Sequence, residues 1–166
     1  MLRPILLVPD PRLKLPCAPV TAFDKALQTL ICDLTDTMEA GPACVGIAAC
    51  QIGELMRVAL VDTSGHSKHG AHSHGRLIVV NPQITARQGD KVGREGCLSL
   101  PDFTANVRRA QTISARFQTE TGAWRELELS GFEAVAFQHE VDHLDGILFL
   151  DRVANLATDV FPRKNK

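Results

Sequence analysis

The chain has 166 residues, 45% of them hydrophobic and 22% charged, with a formal net charge of -1. That composition is ordinary for a globular protein and leaves no electrostatic footprint for nucleic acid. No run approaches the roughly 18 apolar residues of a membrane span.

One catalytic domain over residues 1–166 is expected, long enough to bury roughly 70% of the surface of the unfolded chain. The opening Met1–Asp10 has a short apolar run without a small-residue cleavage site, so it is not read as a signal peptide. Five dispersed cysteines, Cys17, Cys32, Cys44, Cys50 and Cys97, form no CxxC and are read as reduced thiols. The one basic cluster, Arg163-Lys164-Asn165-Lys166, is read as a solvated end.

In chain order, Thr21 to Asp24 has capping-box spacing and opens a helix. Phe23, Ala26, Leu27, Leu30, Ile31, Leu34 and Met38 give it one apolar face through about Ala40, and Gly41-Pro42 stops it. Strands are expected at Met56–Asp62 and Arg76–Asn81, joined by a surface loop, Thr63–Gly75, rich in Gly, Ser and His. Further strands are expected at Gln83–Arg87, Val107–Phe117 and Trp124–Leu129. A second helix starts at Ser130-Gly131-Phe132-Glu133 and ends near Asp145-Gly146. Helix, antiparallel strands, then helix is an α+β pattern.

The second helix contains Gln138-His139-Glu140-Val141-Asp142-His143. His139 and His143 are four apart, so both rings leave one face and can share an ion. Glu140 is rotated by about 100° from His139, which puts its carboxylate beside the ion. Two histidines underligate a metal. Beyond His143 the chain has no Glu, His or Cys, leaving Asp145, Asp151 and Asp159 on that side. Asp142 does not match the histidine face. His66, His69, His72 and His74 all lie in the Gly/Ser loop, more simply a flexible solvated segment than a ligand source or metal-delivery element. Cys97, in Arg94-Glu95-Gly96-Cys97-Leu98-Ser99-Leu100-Pro101, is the better third ligand, with Gly96 allowing close approach and Pro101 stopping the segment. One thiolate and two imidazoles leave a fourth position open.

Cys44-Val45-Gly46-Ile47-Ala48-Ala49-Cys50-Gln51, then Glu95–Ser99, then Gln138–His143 resemble in that order the three signature motifs of the peptide deformylase family. Pro9-Asp10-Pro11-Arg12-Leu13 and Phe149-Leu150-Asp151-Arg152-Val153 also look like that family. The resemblance implies a deformylase fold, with antiparallel sheets packed around a central helix that carries the HExxH motif. It implies a metal-dependent hydrolase that removes formyl groups from N-formylmethionyl nascent chains in the bacterial cytosol, and it admits transient docking on the ribosome. By the same resemblance Cys97, His139 and His143 bind one divalent ion, with iron(II) the native metal and zinc, nickel or cobalt compatible. Glu140 is then the acid/base, and Gln51 and the Leu98 N–H stabilise the oxyanion. Val45, Gly46, Phe132, Val135 and Ala136 would contact substrate.

Small-residue packing is an equal reading of Gly46, Ala48 and Ala49. Asp142 or Glu95 would support a ligating ring, or pair with an arginine such as Arg109. Two departures stand out: Cys44 leads the first motif where glycine is usual, and Asp102-Phe103-Thr104 runs where the family often carries an arginine. They motivate one rival, a hydrolase of the same scaffold acting on a different formylated or acylated small amide. A second rival, of another class, is a metal-storing or ribosome-associated binding protein that keeps the site without turnover.

Overall fold

Asp24, rather than Thr21, caps the first helix in the computed structural model, which describes residues 1–41 and 43–163. Its carboxylate accepts from the Leu27 N–H at 3.0 Å, so α1 spans Lys25–Ala40 and Phe23 stays outside it. Leu27, Leu30, Ile31, Leu34 and Met38 are buried as the period requires, whereas Ala26 falls on the exposed side. Gly41 is the C-cap; Pro42 lies outside the described residues. Asp24→Ala is expected to lower stability by about 1 kcal/mol in urea denaturation, since one orphan N–H loses its acceptor.

Two antiparallel sheets follow. The first, in the order β1-β2-β3-β6-β7, contains Gly46–Ala48, Val58–Val61, Leu77–Gln88, Thr112–Gln118 and Trp124–Ser130. The second, β4-β5-β8, contains Lys91–Cys97, Leu100–Arg109 and Val160–Pro162. The segments 76–81 and 83–87 are therefore one strand, not two. Asn81 takes a positive φ of 50° at a register shift against β6, and its side chain bonds the backbone of Val20 in both directions. Asparagine tolerates that conformation, so Pro82 marks a bulge rather than an end.

The single strand expected over 107–117 is two strands in different sheets. At the crossing, Gln138 of α2 (Gly131–Leu144) takes the place of a neighbouring strand: Ala110 N–H donates to its Oε1 at 3.1 Å and Ala110 O accepts from its Nε2 at 2.9 Å. β4 escapes sequence reading because most of it is exposed on both faces and shows no alternation. Pro101 does not stop its segment. Cys97 pairs with Leu100 across a tight turn, and Pro101 sits at the start of β5, where a missing N–H is tolerated.

α2 lies between the sheets against β1, β2, β6 and β7, and is buried on all sides from Glu133 to Leu144 except at Val135. Ala48 and Cys50 pack with Leu144, and Cys50 Sγ reaches His143 O at 3.5 Å, so the small residues of the first motif let β1 approach the helix closely. Arg57 closes the helix, donating to Leu144 O at 3.3 Å and Asp145 at 2.7 Å, a cation at the negative end of the dipole. Segment 6–8 joins the sheets: Leu6 N–H donates to Gln51 O and Val8 N–H to Ser99 O. No helix among the described residues is long and apolar enough to cross a membrane.

Candidate metal centre

The turn between β4 and β5 aims Cys97 at the face of α2 that carries both histidines. The ligand atoms of Cys97, His139 and His143 lie within 4.8 Å of one another, with Cys97 Sγ 3.2 Å from His143 Nε2. Among the described residues this is the one cluster of three such groups, and the loop histidines do not join it. All three side chains are buried. A soft thiolate and two imidazoles suit a transition-metal ion better than calcium or magnesium.

A buried ionic frame orients the first ring. Glu95 Oε1 accepts from His139 Nδ1 at 2.9 Å, which leaves Nε2 free to ligate a metal. Arg109 clamps Glu95 through Nε and Nη2, both at 2.9 Å, and its Nη1 reaches Asp142. Arg152 closes the network on Asp142 at 2.5 and 2.8 Å. Burial pushes the Glu95 carboxyl up, but its bonds to His139 and Arg109 outweigh this and hold it down to about 2. Burial also lowers His139, yet Cys97 and Glu95 lift the ring well above the usual imidazole range. His143 is held well below that range by burial and by the charge on His139. A ligating imidazole must be neutral, so an ion taken up here would displace the proton that His139 favours.

Glu140 sits beside this cluster, and burial raises its carboxyl to about 7. Its Oε1 has no hydrogen-bond partner among the described residues although it is fully enclosed. A divalent cation alongside would favour the ionised form. Gly46 faces it so closely that an added β-carbon would stand 2.5 Å from Glu140 Oε2. A larger residue at 46 would therefore displace the Glu140 carboxylate, which gives this glycine a packing role.

Gln51 is fixed in one orientation. Its Oε1 accepts from Ala48 N–H at 3.0 Å, so its Nε2 points the other way, 3.1 Å from Ser99 Oγ and 3.5 Å from Cys97 Sγ. Gln51 and Cys97 border a cavity of about 450 Å³, with Leu98 in its wall. Val45, Gly46, Phe132, Val135 and Ala136, the five expected substrate contacts, all line it. It is bordered by β1 and β4, each the outermost strand of its sheet, so both present an unpaired edge.

Several contributors escape sequence reading. Ser99, which anchors Gln51, had only the signal of a hydroxyl in the turn after Cys97. From the sequence Glu95 and Asp142 each read as a ring support or as an arginine partner; Glu95 is both at once, through His139 and Arg109. The histidine loop is largely exposed, as expected, but it is anchored to the start of α2: the His66 and His69 ring centres lie 4.6 and 5.0 Å from that of Phe132, and His74 bonds Glu133. Phe132 projects at the start of α2 and offers those rings an apolar face. Arg163, assigned to a solvated tail, lines the cavity; 164–166 lie outside the described residues.

The family model described as polypeptide deformylase matches residues 2–159. The peptide deformylase of Acidobacterium capsulatum is 38% identical over 164 residues, spanning 99% of this chain and 94% of the relative. A protein of Agrobacterium fabrum named peptide deformylase-like is 41% identical, covering 98% and 94%. The crystal structure of a peptide deformylase from Legionella pneumophila superposes with a TM-score of 0.84 at 39% identity, over 94% of this chain and 88% of that one. A Met-Ala-Ser-bound peptide deformylase from Acinetobacter baumannii also reaches 0.84 at 34% identity, over 92% and 99%.

Proposed function

The chain belongs to the polypeptide deformylase family, and from that premise we propose a reaction in which its own residues divide the work of releasing formate from N-formylmethionyl termini. The family is one of metal-dependent hydrolases. Cys97, His139 and His143 hold the divalent ion, which when bound supplies Lewis acidity toward water and the formyl carbonyl. The clustered ligand atoms are the single observation that carries this reading.

The peptide lies extended between the free edges of β1 and β4, a form of strand addition. Val45, Phe132, Val135 and Ala136 receive the methionine side chain, an apolar match, while Gly46 lets the backbone approach. Glu140 takes a proton from the attacking water and delivers it to the departing amine nitrogen. Gln51 Nε2 and the Leu98 N–H donate to the oxyanion that develops on the formyl oxygen. Because Ala48 and Ser99 already orient the Gln51 amide, little reorganisation accompanies the reaction. Gln51→Ala is expected to reduce kcat by about 10²–10³-fold, with bound metal retained. Steady-state formate release with metal analysis of the same sample checks it.

We read iron(II) as the native metal and the bacterial cytosol, where formylated nascent chains arise, as the place of action, with docking on the ribosome transient. Residues 1–166 act as one catalytic unit, because both sheets and α2 contribute to the cavity. The substrate assignment is tested by comparing formyl-Met-Ala-Ser with small formylated amides on metal-replete protein. Turnover of the peptide in clear preference is expected. Hydrolysis of the small amides alone would overturn it.

A further inference from the structure

β8 brings a second set of charges to the cavity. Its register against β5 pairs Phe161 with Thr104 and Pro162 with Phe103, and Arg163 N–H donates to Asp102 O at 2.8 Å. This places the Arg163 guanidinium over Gly96, where a β-carbon would collide with it. Arg94 precedes Gly96 by two residues and so shares its face of β4. The Arg94 guanidinium lies 3.8 Å from the centre of the Phe161 ring and donates only to neutral oxygens, Asn106 Oδ1 at 3.2 Å and Thr104 Oγ1 at 3.4 Å.

Both arginines line the cavity, and neither forms an ion pair among the described residues. The carboxylates in the same wall are committed elsewhere: Glu95 to Arg109 and His139, Glu140 to the reacting centre. Both side chains are exposed at the cavity wall without a counter-ion among the described residues, so their N–H donors are open toward the peptide path. A carboxylate is the group whose geometry satisfies them, by paired charge-assisted hydrogen bonds.

We infer that Arg163 and Arg94 form an anion-recognising wall of the substrate cavity that favours formylated peptides carrying an aspartate or glutamate in the residues after formyl-methionine. This rests on the deformylase reading. The arginines act on substrate binding and take no part in the bond-breaking step.

The test uses C-terminally amidated peptides, so that no terminal carboxylate competes: formyl-Met-Ala-Ser-amide with its Asp and Lys variants at the second and third positions. At low salt the metal-replete protein should prefer Asp to Lys at one of these positions by about tenfold in kcat/KM, the order given by one part-exposed ion pair gained and one like-charge contact avoided. The preference should lie in KM and shrink as salt is added. Arg163→Met should abolish most of it and Arg163→Lys should retain part; Arg94→Met provides an independent second variant. Metal content measured on each preparation separates lost recognition from lost fold. An Asp/Lys ratio that is near one in the native protein, or unchanged in both methionine variants, overturns the inference. Absence of formate from every peptide would instead overturn the deformylase reading.

Discussion

Glu140→Ala is expected to lower kcat for formate release by about 10²–10⁴-fold while the protein still binds one metal ion per chain. Of the two carboxylates that line the cavity, that of Glu140 is the one that no arginine or histidine bonds: Glu95 is tied to Arg109 and His139, whereas Glu140 Oε1 has no partner among the described residues. A group kept unbonded in a buried site carries a desolvation cost that packing alone does not repay. Gly46 leaves it the room it occupies. Glu140→Gln, which keeps the shape and removes the proton-accepting oxygen, should be as slow as Glu140→Ala. Formate release at the native rate in either variant would refute the acid/base role.

The largest effect on stability is expected at Arg109. Its guanidinium is 3% exposed, against 6% for Glu95 and 8% for Asp142. Arg109→Met would leave two buried carboxylates without their shared cation, a loss of about 3–5 kcal/mol. Arg152 still covers Asp142, so Glu95 is the group left exposed to the penalty. Metal affinity should fall as well, by about 10–100-fold, since Glu95 fixes the His139 ring. Arg109→Lys keeps the charge but cannot form the two-pronged contact with Glu95, so it should be intermediate. Guanidinium unfolding of the variants, beside metal-binding titrations, measures both. A native-like midpoint in Arg109→Met would show the network to be dispensable.

What was legible in the sequence was whatever had a local cause. His139 and His143 announce themselves because helical spacing alone brings them together, and Cys97 could be reached by eliminating other ligands. The ends of the helix that carries the histidines are legible from Ser130 and Gly146, but the capping box spaced by Ser130 and Glu133 does not form: Ser130 makes no side-chain cap bond, and the Glu133 carboxylate accepts from His74 instead. The strands with tertiary causes were not legible. β4 is a Gly-rich, exposed edge whose pairing depends on β5, and the break at Ala110 depends on Gln138, twenty-eight residues away. Asn81 turned one strand into an apparent two, because a bulge and a strand end share the same residue chemistry. The same limit applies to the cavity. Nothing local in Arg163 or in His66 says that one will lie over Gly96 and the other against Phe132.

On the proposed mechanism, one ion held by Cys97, His139 and His143 makes this chain a deformylase. The most direct measurement is an anaerobic titration of metal-free protein with ferrous ion, with formate release from formyl-Met-Ala-Ser followed at each point. Activity should rise linearly and break at one ion per chain, and Cys97→Ala should show neither the tight binding nor the rise. Stoichiometric loading without formate, or undiminished activity in Cys97→Ala, would contradict it.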